Sequence, residues 1–319
     1  MSEVEGYHKP VLLKEVLDAL SIRDAWYLDC TLGDGGHSIE IMARGGSVVG
    51  VDVDPQALKR VYKRFKDLGI DEGKYRLIQG NFRDLKNLLQ SAFAKASADK
   101  QMDPATPLRA GLADKIFAGA IFDLGVSSLQ LGSPDRGFSF SKDGLLDMRM
   151  DPSLQVRALD LINVLSRKEL SELFFKLGEE KYSRQLAATL VSAHQVVKTT
   201  RDLANLVEGV YRKAGERRWR VHPATKVFQA LRIAVNDELD ALREGLEQIK
   251  EKIAKNGVIL VTSFHSLEDR IVKDTFRKWQ LEGLGQVVTK KPVIPTDEEI
   301  RANPRARSAK MRVFVRRTV

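Results

Sequence analysis

The 319-residue sequence predicts an α/β fold, a mostly parallel sheet covered by helices on both faces and interrupted by a small helical domain. Three observations carry that expectation. Between residues 26 and 123, short β-rich runs alternate with amphipathic stretches, the pattern that parallel sheets require. From Leu159 to Ala193 the apolar spacing changes to threes and fours. Sheet-like runs then return after residue 258.

In chain order, residues 26–30 form the first strand, followed by a Gly-rich turn and a helix over 38–43. Residues 48–51 form the second strand, and 55–68 place Ala57, Leu58, Val61 and Phe65 on one helical face. Residues 75–79 and 117–122 are the third and fourth strands. Between them, residues 92–115 are rich in Ala, Asp, Lys and Pro with no sustained period, which reads as an irregular, mobile insertion. After Asp123, a Gly, Ser and Asp-rich stretch precedes helices marked by Leu159, Ile162 and Leu165, by Leu170, Leu173 and Leu177, and by Leu186, Leu190 and Ala193. One long helix is expected over 225–255, stopped by Asn256-Gly257 ahead of the fifth strand at 258–262. Runs at 285–289 and 311–316 would close the sheet as a hairpin. The expected division is 1–133 and 221–319 for the sheet domain and 134–220 for the insertion.

Composition narrows the function. At 43% hydrophobic and 30% charged, the chain can bury a core and is too apolar for wholesale disorder. No apolar run approaches the roughly 20 residues of a membrane span, and the acidic start, Met1-Ser2-Glu3-Val4-Glu5, lacks the character of a secretory signal. The single cysteine, Cys30, can form neither an internal disulfide nor a thiolate metal site. A cytoplasmic protein without a metal is expected. The net charge of +9 is unevenly placed: residues 212–232 hold seven Lys and Arg against one Glu, and 301–319 hold seven against none. Such localisation fits a protein that neutralises phosphates. Arg217, Arg218, Trp219, Arg220, Arg305 and Arg307 are therefore candidate nucleic-acid contacts, with Trp219 a stacking face among cations.

The richest chemistry lies in Asp29-Cys30-Thr31-Leu32-Gly33-Asp34-Gly35-Gly36-His37-Ser38. The segment leaves a strand and enters a helix, so it sits at the carboxyl edge of the sheet, where ligands bind. A dinucleotide fingerprint would follow Gly33 and Gly35 with a third glycine, but Ser38 stands there, which argues against a nicotinamide-dependent dehydrogenase. Asp29 ahead of the glycines suits a ligand carrying positive charge, such as the sulfonium and ammonium of S-adenosylmethionine. Asp52 closes the second strand, where a carboxylate can accept both ribose hydroxyls. Phe82 follows the third strand as a candidate adenine face, and Asp123 ends the fourth.

Asp123-Leu124-Gly125-Val126-Ser127-Ser128-Leu129-Gln130, Asp135-Arg136-Gly137-Phe138-Ser139-Phe140 and Asp147-Met148-Arg149-Met150-Asp151 carry a family resemblance, together with the Gly33 to Ser38 turn. Gly178-Glu179-Glu180-Lys181-Tyr182-Ser183-Arg184, His222-Pro223-Ala224-Thr225, Asn236-Asp237-Glu238-Leu239, Ser263-Phe264-His265-Ser266-Leu267-Glu268-Asp269-Arg270 and Asn303-Pro304-Arg305-Ala306-Arg307-Ser308 extend it almost end to end. The sequence resembles the bacterial small-subunit ribosomal RNA cytosine-N4 methyltransferases, the MraW or RsmH family. The resemblance implies a Rossmann-like class I S-adenosylmethionine-dependent methyltransferase sheet whose helical insertion recognises substrate. It also implies methyl transfer from S-adenosyl-L-methionine to the N4 amine of a cytidine in the decoding region of 16S rRNA, with rRNA or the small subunit as partner. Carried over by motif, Gly35, Gly36, His37, Asp52, Phe82, Asp123 and Gln130 contact the cofactor, with Asp29 and Gly33 completing the turn. A homodimer stays open.

Methylating an aromatic amine requires that its delocalised lone pair be oriented and its proton accepted. Asp123 is the candidate for that role, with Ser127 and Ser128 as weaker orienting groups. The Pro-Pro-aromatic run that commonly follows such an acid in amino-methylating enzymes is missing here. His265, just after the fifth strand, could assist proton removal or serve only its own loop. Two other readings share the features: a methyltransferase for another RNA or DNA base, and an RNA-binding assembly factor without catalysis.

Overall fold

A computed structural model describes residue 7 and residues 9–98, 117–193 and 195–317. The chain divides into two compact units, Met1–Gly125 with Leu239–Val319, and Val126–Glu238.

The first unit is built on a seven-stranded sheet of order β3-β2-β1-β4-β5-β7-β6. Its strands are β1 (Trp26–Asp29), β2 (Ser47–Asp52), β3 (Tyr75–Gln79), β4 (Phe117–Asp123), β5 (Ile253–Ser263), β6 (Gly285–Val287) and β7 (Lys310–Arg316). β1 to β5 are parallel, and β7 runs antiparallel between β5 and β6. This is the Rossmann-like sheet that the resemblance implied. The helices of this unit are α1 (Leu13–Leu20), α2 (Gly36–Ala43), α3 (Pro55–Asp67), α4 (Leu85–Ala98), α11 (Glu238–Ile249), α12 (Ser266–Leu281) and α13 (Asp297–Ala302). Period-two alternation sends neighbouring strand residues to opposite faces: Tyr27 and Val48 join Val16, Val61 and Phe65, whereas Leu28 and Val49 join Leu242, Leu246 and Trp279.

Local chemistry sets the helix starts. Asp54 caps α3 by accepting the Gln56 N–H at 3.0 Å, and Pro55 occupies the first helical position. His265 caps α12, its Nδ1 accepting the Glu268 N–H at 3.4 Å while Glu268 Oε2 takes the Phe264 N–H at 2.8 Å.

The second unit is helical: α5 (Ser128–Gly132), α6 (Ala158–Val164), α7 (Arg167–Gly178), α8 (Ser183–Ala193), α9 (Thr200–Lys213) and α10 (Ala224–Asn236). Leu170, Phe174, Leu186, Leu190, Val207, Val227 and Leu231 form its core. The unit begins eight residues before the expected 134 and ends eighteen after the expected 220. At the later limit the reason is packing, since α10 places Val227, Phe228 and Leu231 in this core.

Two sequence expectations change. The helix expected over 225–255 is two helices, broken at Asp237, whose left-handed φ of 50° is tolerable for Asp. The second ends at Ile249 and β5 begins at Ile253, so Asn256-Gly257 lies inside the strand rather than at a helix stop. Asn236 holds the break, its Oδ1 accepting the Met150 N–H at 2.6 Å and its Nδ2 donating to Met148 O at 2.7 Å. Arg232 donates to Glu238 through two bonds of 2.8 and 2.9 Å. Also, α4 continues through Ala98, so the first part of the expected irregular insertion is helical. The rest of that insertion lies outside the described residues, as do the extreme N-terminal residues.

Candidate active site

Three carboxylates stand at the carboxyl ends of adjacent strands: Asp52 on β2, Asp29 on β1 and Asp123 on β4. The glycine turn connects β1 to α2 beside them. Gly33 and Gly35 have φ of 51° and 71°, which side chains rarely adopt. A Cβ on Gly35 would lie 3.0 Å from the Phe65 ring of α3, and one on Gly36 would lie 3.0 Å from Pro10. The turn is therefore packed from both sides, with Gly35 and His37 buried and Gly33 and Gly36 partly exposed.

Each acid has a distinct task. Asp29 is 2% exposed, and both of its oxygens serve the turn: Oδ1 accepts the Thr31 N–H at 3.2 Å and Oδ2 the Ser38 hydroxyl at 2.7 Å. Burial raises its pKa. The acid expected to face a cationic ligand is thus turned inward as the brace of the loop. Asp52 accepts the Gly33 N–H through Oδ2 and the Asp54 N–H through Oδ1, each at 2.8 Å. Burial, reinforced by the charges of Asp54 and Asp29, lifts its carboxyl to about 6, against the two N–H bonds that lower it.

Asp123 is fixed through its backbone, whose N–H donates to Thr31 Oγ1 at 2.6 Å. Its Oδ2 lies 3.6 Å from His37 Nε2. The His37 ring is 6% exposed, and neither ring nitrogen has a hydrogen-bond partner among the described residues; buried Asp123 Oδ1 has none among them either. Buried polar atoms without partners are costly, and a cluster of them at a strand edge fits a place that a polar ligand completes. Phe82 stands after β3 with its ring edge-on to Phe122 at 5.5 Å, half-buried against Gly245 of α11.

The sheet unit therefore gathers Asp29, Gly33, Gly35, Gly36, His37, Asp52, Phe82 and Asp123 at one edge. The sequence profile of the MraW methylase family matches residues 5–317. The chain belongs to that family. Among its relatives, Ribosomal RNA small subunit methyltransferase H of Pseudothermotoga lettingae is 41% identical over 316 residues, 98% of this chain and 100% of that one. The protein of the same name from Persephonella marina is 40% identical over 314 residues, 97% and 99% of the two chains. Among solved structures, an rRNA methylase from Streptococcus thermophilus superposes with a TM-score of 0.42 and 11% identity, covering 95% of each chain.

Other residues singled out for this methylase lie in the second unit. Ser127 and Gln130 form a capping box at the start of α5: Ser127 Oγ accepts the Gln130 N–H at 3.2 Å, and Gln130 Oε1 accepts the Ser127 N–H at 3.0 Å. That spacing, Ser-x-x-Gln, was readable in the sequence as a helix start. Arg217, Arg218 and Arg220 are exposed and form no ion pair or hydrogen bond with a described residue. Trp219 is partly buried, its ring edge-on to Tyr211 and His222 at 6.4 and 6.3 Å. Beneath that loop, fully buried Glu180 accepts the Tyr211 hydroxyl at 2.8 Å, while Tyr182 donates to Glu216 at 2.7 Å. In the first unit, Arg305 and Arg307 are exposed on the turn before β7.

Sequence reasoning missed Thr31 and Ser38, which hold Asp123 and Asp29 in place. Their signal was positional, since both lie within the glycine turn. His265 has its imidazole on its own helix, 3.2 Å from Glu268, which assigns it to the cap.

Proposed function

We propose that this chain transfers a methyl group from S-adenosyl-L-methionine to the N4 amine of a cytidine in the decoding region of 16S rRNA. The observation that carries this reading is the cluster at one sheet edge, where the glycine turn, the Asp52 carboxylate and the His37–Asp123 pair meet. Two full-length relatives named for small-subunit rRNA methylation support the substrate class.

The residues present fit the cofactor. Asp52 retains lone pairs for the ribose hydroxyls beyond its two N–H bonds. The half-buried Phe82 ring offers a face to adenine. The turn of Gly35, Gly36 and His37 can be approached at Gly36, which is partly exposed and carries no side chain. When bound, the cofactor supplies a methyl group activated on a sulfonium. Asp123, fixed by Thr31, accepts a hydrogen bond from the substrate amine, draws the lone pair out of ring conjugation and receives the departing proton. Asp29 acts beneath the turn, and Gln130 is retained as a cofactor contact on the strength of its motif. Ser127 keeps its hydroxyl hydrogen after capping, so an orienting role stays within its chemistry.

RNA is assigned to Arg217, Arg218, Trp219 and Arg220 on the helical unit and to Arg305 and Arg307 on the sheet unit. The cytidine reaches the edge as a flipped or single-stranded nucleotide, because a base inside a folded RNA must be unstacked to meet the methyl donor. Among the described residues no helix is long and apolar enough to cross a membrane, and work on ribosomes belongs to the cytoplasm. Sedimentation of the free chain separates a monomer from a homodimer. The deciding experiment supplies labelled S-adenosyl-L-methionine with small subunits from a strain lacking the enzyme. Label in N4-methylcytidine of 16S rRNA is expected, and label in another nucleoside, or none, overturns the reading.

A further inference from the structure

A third cationic surface lies in the sheet unit, on a helix that segment charge does not reveal. Helix α3 carries Lys59, Arg60, Lys63, Arg64 and Lys66 against one acid, Asp67, but Asp71 and Glu72 follow in sequence and mask the excess. The helix packs Val61 and Phe65 under Gly35 of the turn, which fixes its polar face outward. On one flank, Arg60 Nε lies 2.9 Å from Asp34 Oδ1, and Arg64 Nη1 donates to the Asp34 carbonyl at 2.6 Å. Both guanidiniums lie over the Tyr7 ring, at 4.5 and 4.2 Å from its centroid.

Arg305, on the turn before β7, is close enough to Asp34 for their charges to interact, and partial burial lowers its pKa. Three guanidiniums thus share one carboxylate. Arg64 spends its hydrogen bond on the Asp34 carbonyl and forms no ion pair of its own with a described residue, sharing the Asp34 carboxylate with Arg60 and Arg305. Lys59 and Arg307, both exposed, also form no ion pair with a described residue, and Lys63 has only a long, exposed contact to Asp67 at 3.9 Å. Three guanidiniums around one carboxylate leave an excess of positive charge there, which an anion offsets.

We propose that Lys59, Lys63, Arg64 and Arg307 form a phosphodiester-binding surface for the RNA strand beside the glycine turn, separate from the cations of residues 217–220. The proposal rests on the RNA-methylation reading above. It assigns the sheet unit its own grip on the backbone, next to the loop that holds the cofactor, and the contact is to phosphates, so it carries no base preference.

The test replaces Lys59, Lys63 and Arg307 with Gln together, leaving the Asp34 contacts intact, and measures binding to a 16S rRNA fragment across salt. The slope of log affinity against log salt should fall by about two, from roughly 0.7 per lost single-strand contact. Cofactor affinity should be unchanged in the same protein. An unchanged slope overturns the surface. An Arg217→Gln, Arg218→Gln, Arg220→Gln protein measured in parallel shows whether the RNA reading fails with it or stands alone. In Arg64→Gln, weakened RNA binding supports the surface. Weakened cofactor binding with RNA binding intact would instead assign the charge to the cofactor's carboxylate and overturn the proposal.

Discussion

His37 Nε2 faces Asp123 Oδ2 at 3.6 Å, joining the first turn of α2 to the end of β4 at the point where the proposed chemistry takes place. The separation is too long for a hydrogen bond, yet it links two groups whose other polar atoms are buried without partners among the described residues. The pair is set from below, because Thr31 holds the Asp123 backbone and Ser38 holds Asp29.

Replacing Asp123 with Asn removes the proton acceptor while preserving shape. Single-turnover methyl transfer should fall by about 10²–10⁴-fold, the usual worth of a positioned base. Calorimetry should still detect cofactor binding. A parent single-turnover rate in this variant would remove Asp123 from the reaction.

Asp52 makes cofactor binding pH-dependent. Its carboxyl, lifted to about 6, must be ionised to accept two ribose hydroxyls well. Cofactor affinity should be flat from pH 7 to 9 and should weaken as pH falls through about 6. For the unliganded fold the sign is opposite. The folded value lies above the ordinary 3.8, so ionising Asp52 costs stability, and its contribution declines as pH rises from about 4 through 6. Asp52→Ala should lose about 10- to 100-fold in cofactor affinity, the worth of one charge-assisted bond of about 1.5–3 kcal/mol, and should lose this pH step. Titration calorimetry across pH reads both effects.

Gly35→Ala tests the packed turn. The residue sits at φ 71°, and a Cβ would press on Phe65 at 3.0 Å. Destabilisation by about 1–3 kcal/mol is expected, measured by urea unfolding, with a loss of cofactor affinity in the surviving folded protein. Parent values for both would mean that the turn tolerates a side chain at Gly35.

How much of this was legible in sequence can be judged residue by residue. Most strands were, because β-rich runs bounded by Gly, Asp and Pro leave few alternatives, and Tyr75 to Gln79 matches β3 residue for residue, but β5 starts at Ile253, inside the stretch that reads as helix. The turn was legible through glycine spacing. The break at Asp237 was not, since the apolar period runs on through it and only the tertiary bonds of Asn236 impose the left-handed residue. The inward turn of Asp29 was hidden for a related reason: a strand-end acid reads the same whether its oxygens meet a ligand or a neighbouring hydroxyl. The basic face of α3 escaped a count by segments because helical periodicity, rather than sequence proximity, separates its cations from Asp71 and Glu72.

Ser127 offers a clean separation of capping from chemistry. Ser127→Ala should cost about 1 kcal/mol through loss of the cap. Ser127→Asp keeps an acceptor for the Gln130 N–H and should restore stability. If the hydroxyl only caps α5, the Asp variant also restores turnover; turnover that stays low in a stable Asp variant would assign the hydroxyl to orienting the substrate. Thermal unfolding and single-turnover rates read the two effects independently.

The central claim is that the carboxyl edge of the sheet holds the methyl donor. A crystal structure of the chain with S-adenosyl-L-homocysteine tests it most directly. The account predicts the ribose hydroxyls on Asp52, the amino-acid half along the Gly33 to His37 backbone, and the sulfur facing Asp123. Density for the ligand away from these residues, with the turn unchanged, would contradict it.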